Sequence, residues 1–188
     1  MSIATNRTSS AAATLAGILV AGAMVALTIG VYAGVHEPAG RPLVTLGFSG
    51  MLQMKAWLTT GASVLLIVQL TTAMWMWGRL PGVTSAAPPW AGPLHRWSGT
   101  TAFVLTVPVA LHCIWALGFA TGDLRVTVHS IVGCLFYGAY AAKMLALRTR
   151  GLPGWSLPVL GGSVFTALLL LWLTAALWFF TRSGVPLI

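Results

Sequence analysis

The chain has 188 residues, of which 57% are hydrophobic and only 6% charged. So few charges cannot cover the surface of a soluble domain, which leaves a polytopic membrane protein with the lipid bilayer as its solvent. The formal charge of +8 does not point to nucleic acid, because the ten basic residues are scattered at the ends of apolar runs, where they set orientation in the membrane.

Residues 1–10 read as a short cytoplasmic tail whose only charge is Arg7. An apolar run, Ala11–Val35, is too long for the core of a signal peptide and reads as a spanning helix. His36, Glu37 and Pro38 end it, and the Gly- and Pro-rich segment 37–50 reads as a loop, with a partly re-entrant course left open. A second run, Trp57–Trp77, carries Gln69 near its middle and closes on Trp75 and Trp77, which suit the interfacial belt. The link Gly78–Pro93 contains four prolines and is not expected to be helical. Third, fourth and fifth runs follow, giving spanning helices at about 11–35, 55–78, 95–119, 125–147 and 157–180. The expected fold is therefore all-α: one transmembrane domain, residues 11–188, built as a five-helix bundle with a four-helix core plus one. No internal repeat and no second domain is expected.

Orientation follows from the loops. With the N-terminus in the cytoplasm, the inner segments hold Arg7, Arg79, Arg96, Lys143, Arg148 and Arg150 and no acid. The outer segments hold Arg41, Lys55, Arg125 and Arg182 together with both acids, Glu37 and Asp123. This bias places the protein in a cell membrane with its N-terminus inside and its C-terminus outside.

The hairpin Leu94–Arg148, broken at Thr121, Gly122 and Asp123, holds three of the four histidines. His112 lies 11 residues before Asp123 and His129 lies 6 after it, so the two share one half of the membrane on antiparallel helices. Their depths differ by roughly 4–5 Å at 1.5 Å per residue. An ionisable side chain at that depth is a functional-site hypothesis. Two neutral imidazoles on facing helices are the donor set for the axial positions of a haem iron. Gly133 lies one turn beyond His129 and Gly138 two turns beyond, where absent side chains would let a flat macrocycle approach. Pro108, one turn before His112, kinks its helix and opens room. For Arg125, one turn before His129, two readings stand: a partner for a haem propionate or an interfacial snorkelling cation. The alternative for the pair is two histidines hydrogen-bonded to neighbouring helices.

His95 opens the third helix at the opposite face, 17 residues before His112 and about 100° away in azimuth. It reads as an iron ligand or as a helix-start residue contacting a quinone or lipid headgroup, while His36 reads as an interfacial loop residue. Gln69 is a candidate for orienting a histidine's second nitrogen. Tyr137 and Tyr140 are redox-active candidates or packing residues, and Cys113 and Cys134 read as small buried residues. With two acids there is no paired-carboxylate site, and no nucleotide-binding loop is present, so flavin or nicotinamide chemistry would have to come from a partner.

The stretch His95–Gly99 reads H-R-W-S-G and opens an apolar run that reaches His112. It resembles the His-Arg/Lys-x-x-Gly opening of a core helix in the cytochrome b561 and ferric reductase-like transmembrane haem proteins. The His-x-x-x-Gly of His129–Gly133 is similar to helices there too. More broadly, over about residues 36–180, the chain resembles a family of uncharacterised five-helix membrane proteins of actinobacteria. That resemblance is carried by GRPL (Gly40–Leu43), GRLPG (Gly78–Gly82), HRWSGT, ALHC (Ala110–Cys113) and VHSIVGCLFYGAYAAK (Val128–Lys143). The resemblance to the transmembrane haem proteins implies haem b, bis-histidine ligation by His112 and His129, and transmembrane electron transfer. His95 takes the motif-opening position, but multi-haem relatives space two histidines more closely on one helix, which departs from this chain.

The expected function is thus a membrane b-type cytochrome relaying electrons through a haem near the outer face. Its exchange partner would be a quinol pool or a redox protein, with the chain as an electron-transfer subunit of a membrane oxidoreductase. The alternatives are a non-redox helical scaffold or assembly subunit with structural histidines, and a copper-handling protein using Met51, Met54, Met74 and Met76. Those methionines straddle both ends of one helix, which argues against a single compact copper site.

Overall fold

The computed structural model describes residues 2–185, with side chains from Ser10 onward. The helices are α1 (Ser2–Val35), α2 (Met51–Met76), α3 (Ala91–Leu111), α4 (Leu124–Arg148), α5 (Ser156–Leu171) and α6 (Trp178–Ser183). A π-helical turn, His112–Leu117, prolongs α3, and a second, Trp172–Leu177, joins α5 to α6. Together they make five segments long and apolar enough to cross a membrane: Ser10–Val35, Met51–Met76, Ala91–Leu117, Leu124–Arg148 and Ser156–Ser183. The described residues contain no strand, so the fold is an all-helical membrane bundle.

Boundaries moved where local chemistry overrides composition. α2 starts at Met51, four residues ahead of its expected start, so Lys55 lies one turn inside a helix rather than at its edge. α3 starts at Ala91 although Pro93 follows. A proline in a first turn removes an N–H that has no helical partner there anyway. Asp123 begins α4 by accepting the Val126 N–H on its Oδ1 at 2.8 Å, an N-cap that satisfies one of the helix's free donors.

The chain pairs α2 with α3 and sets α4 between α1 and α5. The seam between α1 and α4 is backbone on backbone. A Cβ on Gly22 would fall 2.6 Å from the Gly138 carbonyl oxygen, and one on Gly138 would fall 2.5 Å from that of Gly22. Small residues bring membrane helices this close. Gly138 is therefore filled by α1 and leaves no room for a macrocycle. Ala62, Leu66, Ala102, Phe136, Ala167 and Leu168 form the central apolar core.

The α3–α4 hairpin is splayed. Its helices meet through long side chains rather than along their backbones: Tyr137 donates its hydroxyl to the Thr106 carbonyl at 2.9 Å, and Phe103 stacks on Tyr140 with centroids 3.9 Å apart. Beyond this contact, towards the 118–123 turn, the helices part. The loop 36–50 folds over the same end. Ala39 and Gly40 donate to the carbonyls of Trp115 and Ala116, and Phe119 donates to that of Ala33. Gly118 takes φ +69°, and a Cβ there would strike the Pro38 ring at 2.9 Å.

Candidate functional site

The parting of α3 from α4 leaves a cavity of about 450 Å³, walled by all five spanning segments and mostly apolar. Its polar and ionisable groups gather at the end nearest the 118–123 turn: Lys55 and Thr59 from α2, and Arg125, His129 and Ser130 from α4. Gly133, Cys113, Cys134 and Tyr137 line it deeper in. Among the described residues both cysteines are free thiols.

His129 is held in a defined state. Its Nδ1 lies 2.9 Å from Thr174 Oγ1, and the Thr174 hydroxyl lies 2.7 Å from the Leu170 carbonyl. A hydroxyl has one hydrogen. The carbonyl can only accept it, so Thr174 Oγ1 must accept from the histidine and Nδ1 carries the proton. Neutral His129 therefore keeps a bare lone pair on Nε2, and no described side chain takes it up. A histidine anchored through one nitrogen and open at the other is the usual preparation of an imidazole ligand or hydrogen-bond acceptor.

Arg125 sits one turn before His129. Its Nη1 donates to the Thr174 carbonyl at 2.8 Å, its Nη2 lies 3.8 Å from Asp123 Oδ2, and its guanidinium covers the Trp178 ring at 4.1 Å. It lines the cavity rather than snorkelling away from it. Lys55 comes from the opposite helix pair and lines the same cavity as His129. It is 7% exposed and has neither hydrogen bond nor ion pair among the described residues. Charge and position both make Lys55 prominent, yet composition alone assigns it to the outer edge of a span. The signal available in the sequence was that the apolar pattern continues on both sides of it.

The structure does not bring His112 and His129 together. His112 is fully buried and does not line the cavity. Its Nδ1 donates to the Pro108 carbonyl at 2.7 Å, and its Nε2 accepts from the backbone N–H groups of Leu43 at 3.1 Å and Val44 at 3.4 Å. Nδ1 is tied to its own helix and Nε2 to the loop, so neither ring nitrogen is free. A bis-histidine haem spanning these two residues does not fit this arrangement. Pro108 contributes its carbonyl to His112 rather than space beside it.

The remaining candidates separate in the same way. His95 lies at the far end of the bundle, with Nδ1 2.9 Å from Thr72 Oγ1. Gln69 donates to the His95 carbonyl at 2.5 Å and to Ser98 Oγ at 2.7 Å, so it ties backbone rather than orienting an imidazole. His36 packs between the rings of Tyr32 and Trp115 at 5.2 and 4.5 Å. No group of three His, Cys, Asp or Glu side chains is arranged to hold a metal ion among the described residues.

No curated protein and no solved structure matches the chain. A family model does match, over residues 15–187, which is nearly the whole length and every spanning helix. The chain belongs to the family of unknown function DUF6529.

Proposed function

We propose that the protein is an intramembrane binding protein whose cavity takes an amphiphile with an anionic head. The head lies against Lys55 and Arg125, and the apolar body lies between α3 and α4. The observation that carries this reading is Lys55, a cation buried at the cavity wall with no counter-charge among the described residues. Burying an unpaired charge is costly, and the cost falls when an opposite charge arrives. Among the described residues no acid pairs with it: Asp123 already caps α4 and faces Arg125, and Glu37 is exposed and forms no ion pair. A cavity of this size with mostly apolar walls and a few convergent polar groups has the character of a small-ligand site.

His129 adds specificity, because its bare Nε2 accepts a hydrogen from a ligand hydroxyl or ligates an iron. Electron relay is the redox form of this reading. Haem b is an amphiphile with two carboxylates; His129 is the residue that would hold its iron, and Lys55 and Arg125 the ones that would hold its propionates. His112 has no part in it. A purely structural role, the scaffold alternative, accounts for His112 but leaves Lys55 unexplained.

The test is uptake by the delipidated protein in mild detergent, with oleate, haemin and a neutral ubiquinone as separate probes. The expected result is binding of an acidic probe, weakened at least about tenfold in Lys55→Met, the loss of one well-placed charge contact. With haemin as the ligand, the visible spectrum changes in His129→Ala and is retained in His112→Ala. Equal binding of acidic and neutral probes, unaffected by Lys55→Met, overturns the proposal.

A further inference from the structure

Three polar side chains on the cavity wall keep an unused hydrogen-bonding group. Lys55 and Thr59 lie four residues apart on α2, so they share one helix face, and both line the cavity. Lys55 is 7% exposed and Thr59 5%. Thr59 differs from the other buried threonines. Thr72 and Thr106 turn their hydroxyls back onto their own helices, 2.6 Å from the Val68 carbonyl and 2.7 Å from that of Phe103. The Thr59 hydroxyl makes no hydrogen bond among the described residues. The third group is the bare Nε2 of His129, which comes from α4.

The polar groups around them are already engaged. Arg125 reaches the Thr174 carbonyl and Asp123. Ser130 donates to the Ala120 carbonyl at 3.0 Å and accepts the Ala120 N–H at 3.3 Å. What remains is a charged donor, a hydroxyl and one acceptor.

A ligand head that satisfies all three carries a negative charge, oxygen acceptors and a hydrogen to give. An ionised carboxylate has no hydrogen, and a protonated one has no charge to set against Lys55. A phosphodiester has charge but no hydrogen on its phosphate. A phosphate monoester has both, because its second ionisation falls at about pH 6. We infer that the cavity is a site for an amphiphile with a phosphomonoester head. The P–O–H donates to His129 Nε2, and the anionic oxygens accept from Lys55 and Thr59. This names the ligand class of the proposed site and rests on that reading.

The experiment measures dissociation constants of the full-length, delipidated protein in mild detergent at about pH 6. The probes are dodecyl phosphate, its methyl diester, dodecanoate and haemin. The monoester is expected to bind at least about tenfold tighter than the diester, the equivalent of one hydrogen bond to a charged group. That advantage disappears in His129→Ala. Thr59→Val keeps the side-chain shape and the thermal midpoint but weakens both esters by about tenfold, and Thr59→Ser restores them. Equal binding of the two esters, an advantage that survives His129→Ala, wild-type affinity in Thr59→Val, or tighter binding of dodecanoate or haemin overturns this assignment. The proposed function still stands in those cases if acidic probes lose affinity in Lys55→Met. Acidic probes bound equally by wild type and Lys55→Met overturn both.

Discussion

His112 and His129 lie on consecutive helices at one end of the bundle, and each donates from Nδ1. The difference is what meets Nε2. For His112 it is two backbone N–H groups of the 36–50 loop; for His129 it is the cavity. One ring is consumed in building the protein and the other is kept in reserve. Depth within a bilayer therefore does not distinguish a structural histidine from a reactive one. The occupancy of the second ring nitrogen does.

Replacing the two residues in turn breaks this comparison most sharply. His112→Ala leaves the N–H groups of Leu43 and Val44 without an acceptor and opens a void, and is expected to destabilise the fold by about 3 kcal/mol. Reversible unfolding in mixed detergent measures it, and limited proteolysis within 36–50 should rise in parallel. A variant as stable as wild type would remove the structural role. His129→Ala inverts the pattern: ligand affinity falls about tenfold or more, while the unfolding free energy moves by less than about 1 kcal/mol. A large loss of stability with unchanged binding would mean that the two histidines had been assigned the wrong way round.

Two smaller changes sharpen the contrast. Thr174→Val removes the acceptor that fixes the His129 tautomer. The loss of one intramembrane hydrogen bond is about 0.6 kcal/mol, or roughly threefold in affinity, readable in a binding isotherm; the same change at a threonine away from the cavity should do nothing to binding. Gly133→Ala is the mildest. A Cβ there would meet only Leu171, at 3.9 Å, so stability should stay within about 0.5 kcal/mol. The methyl projects where a flat ring would lie, so haemin uptake should fall while oleate uptake persists. Equal effects on both probes would show that the wall near Gly133 does not discriminate shape.

The five spanning helices were legible because length and hydropathy are properties of single segments. The hairpin was legible for the same reason. What could not be read was lateral packing. Sequence neighbours α3 and α4 suggested a closed pair, but α4 spends its small-residue face on α1, and Gly138 belongs to that seam. The spacing from Asp123 puts His112 near the hairpin turn, yet its ring serves the loop, a partner 68 and 69 residues away in sequence. A π-helical turn beginning at His112 also changes the helical phase, so faces counted at 100° per residue drift beyond it. Lys55 reads from the sequence as an edge charge because a lysine ordinarily marks the end of a span. Thr72 and Thr174 carried no signal at all, since a threonine in an apolar helix looks like any other until its neighbour is known.

The contact between Gly22 and Gly138 has a consequence for how the protein is made. The two glycines are 116 residues apart, and α2 and α3 are synthesised between them. When a chain enters the bilayer in order, α1 has no glycine-lined partner until α4 emerges from the ribosome. The α2–α3 hairpin can assemble first, and α1 must wait beside it in lipid, as helices that are individually stable in the bilayer can before they associate. Insertion is sequential, but closure of this bundle is not: the late arrival of α4 brings His129 and Arg125 to the cavity, and the last spanning segment then supplies Thr174 and Trp178 to hold them.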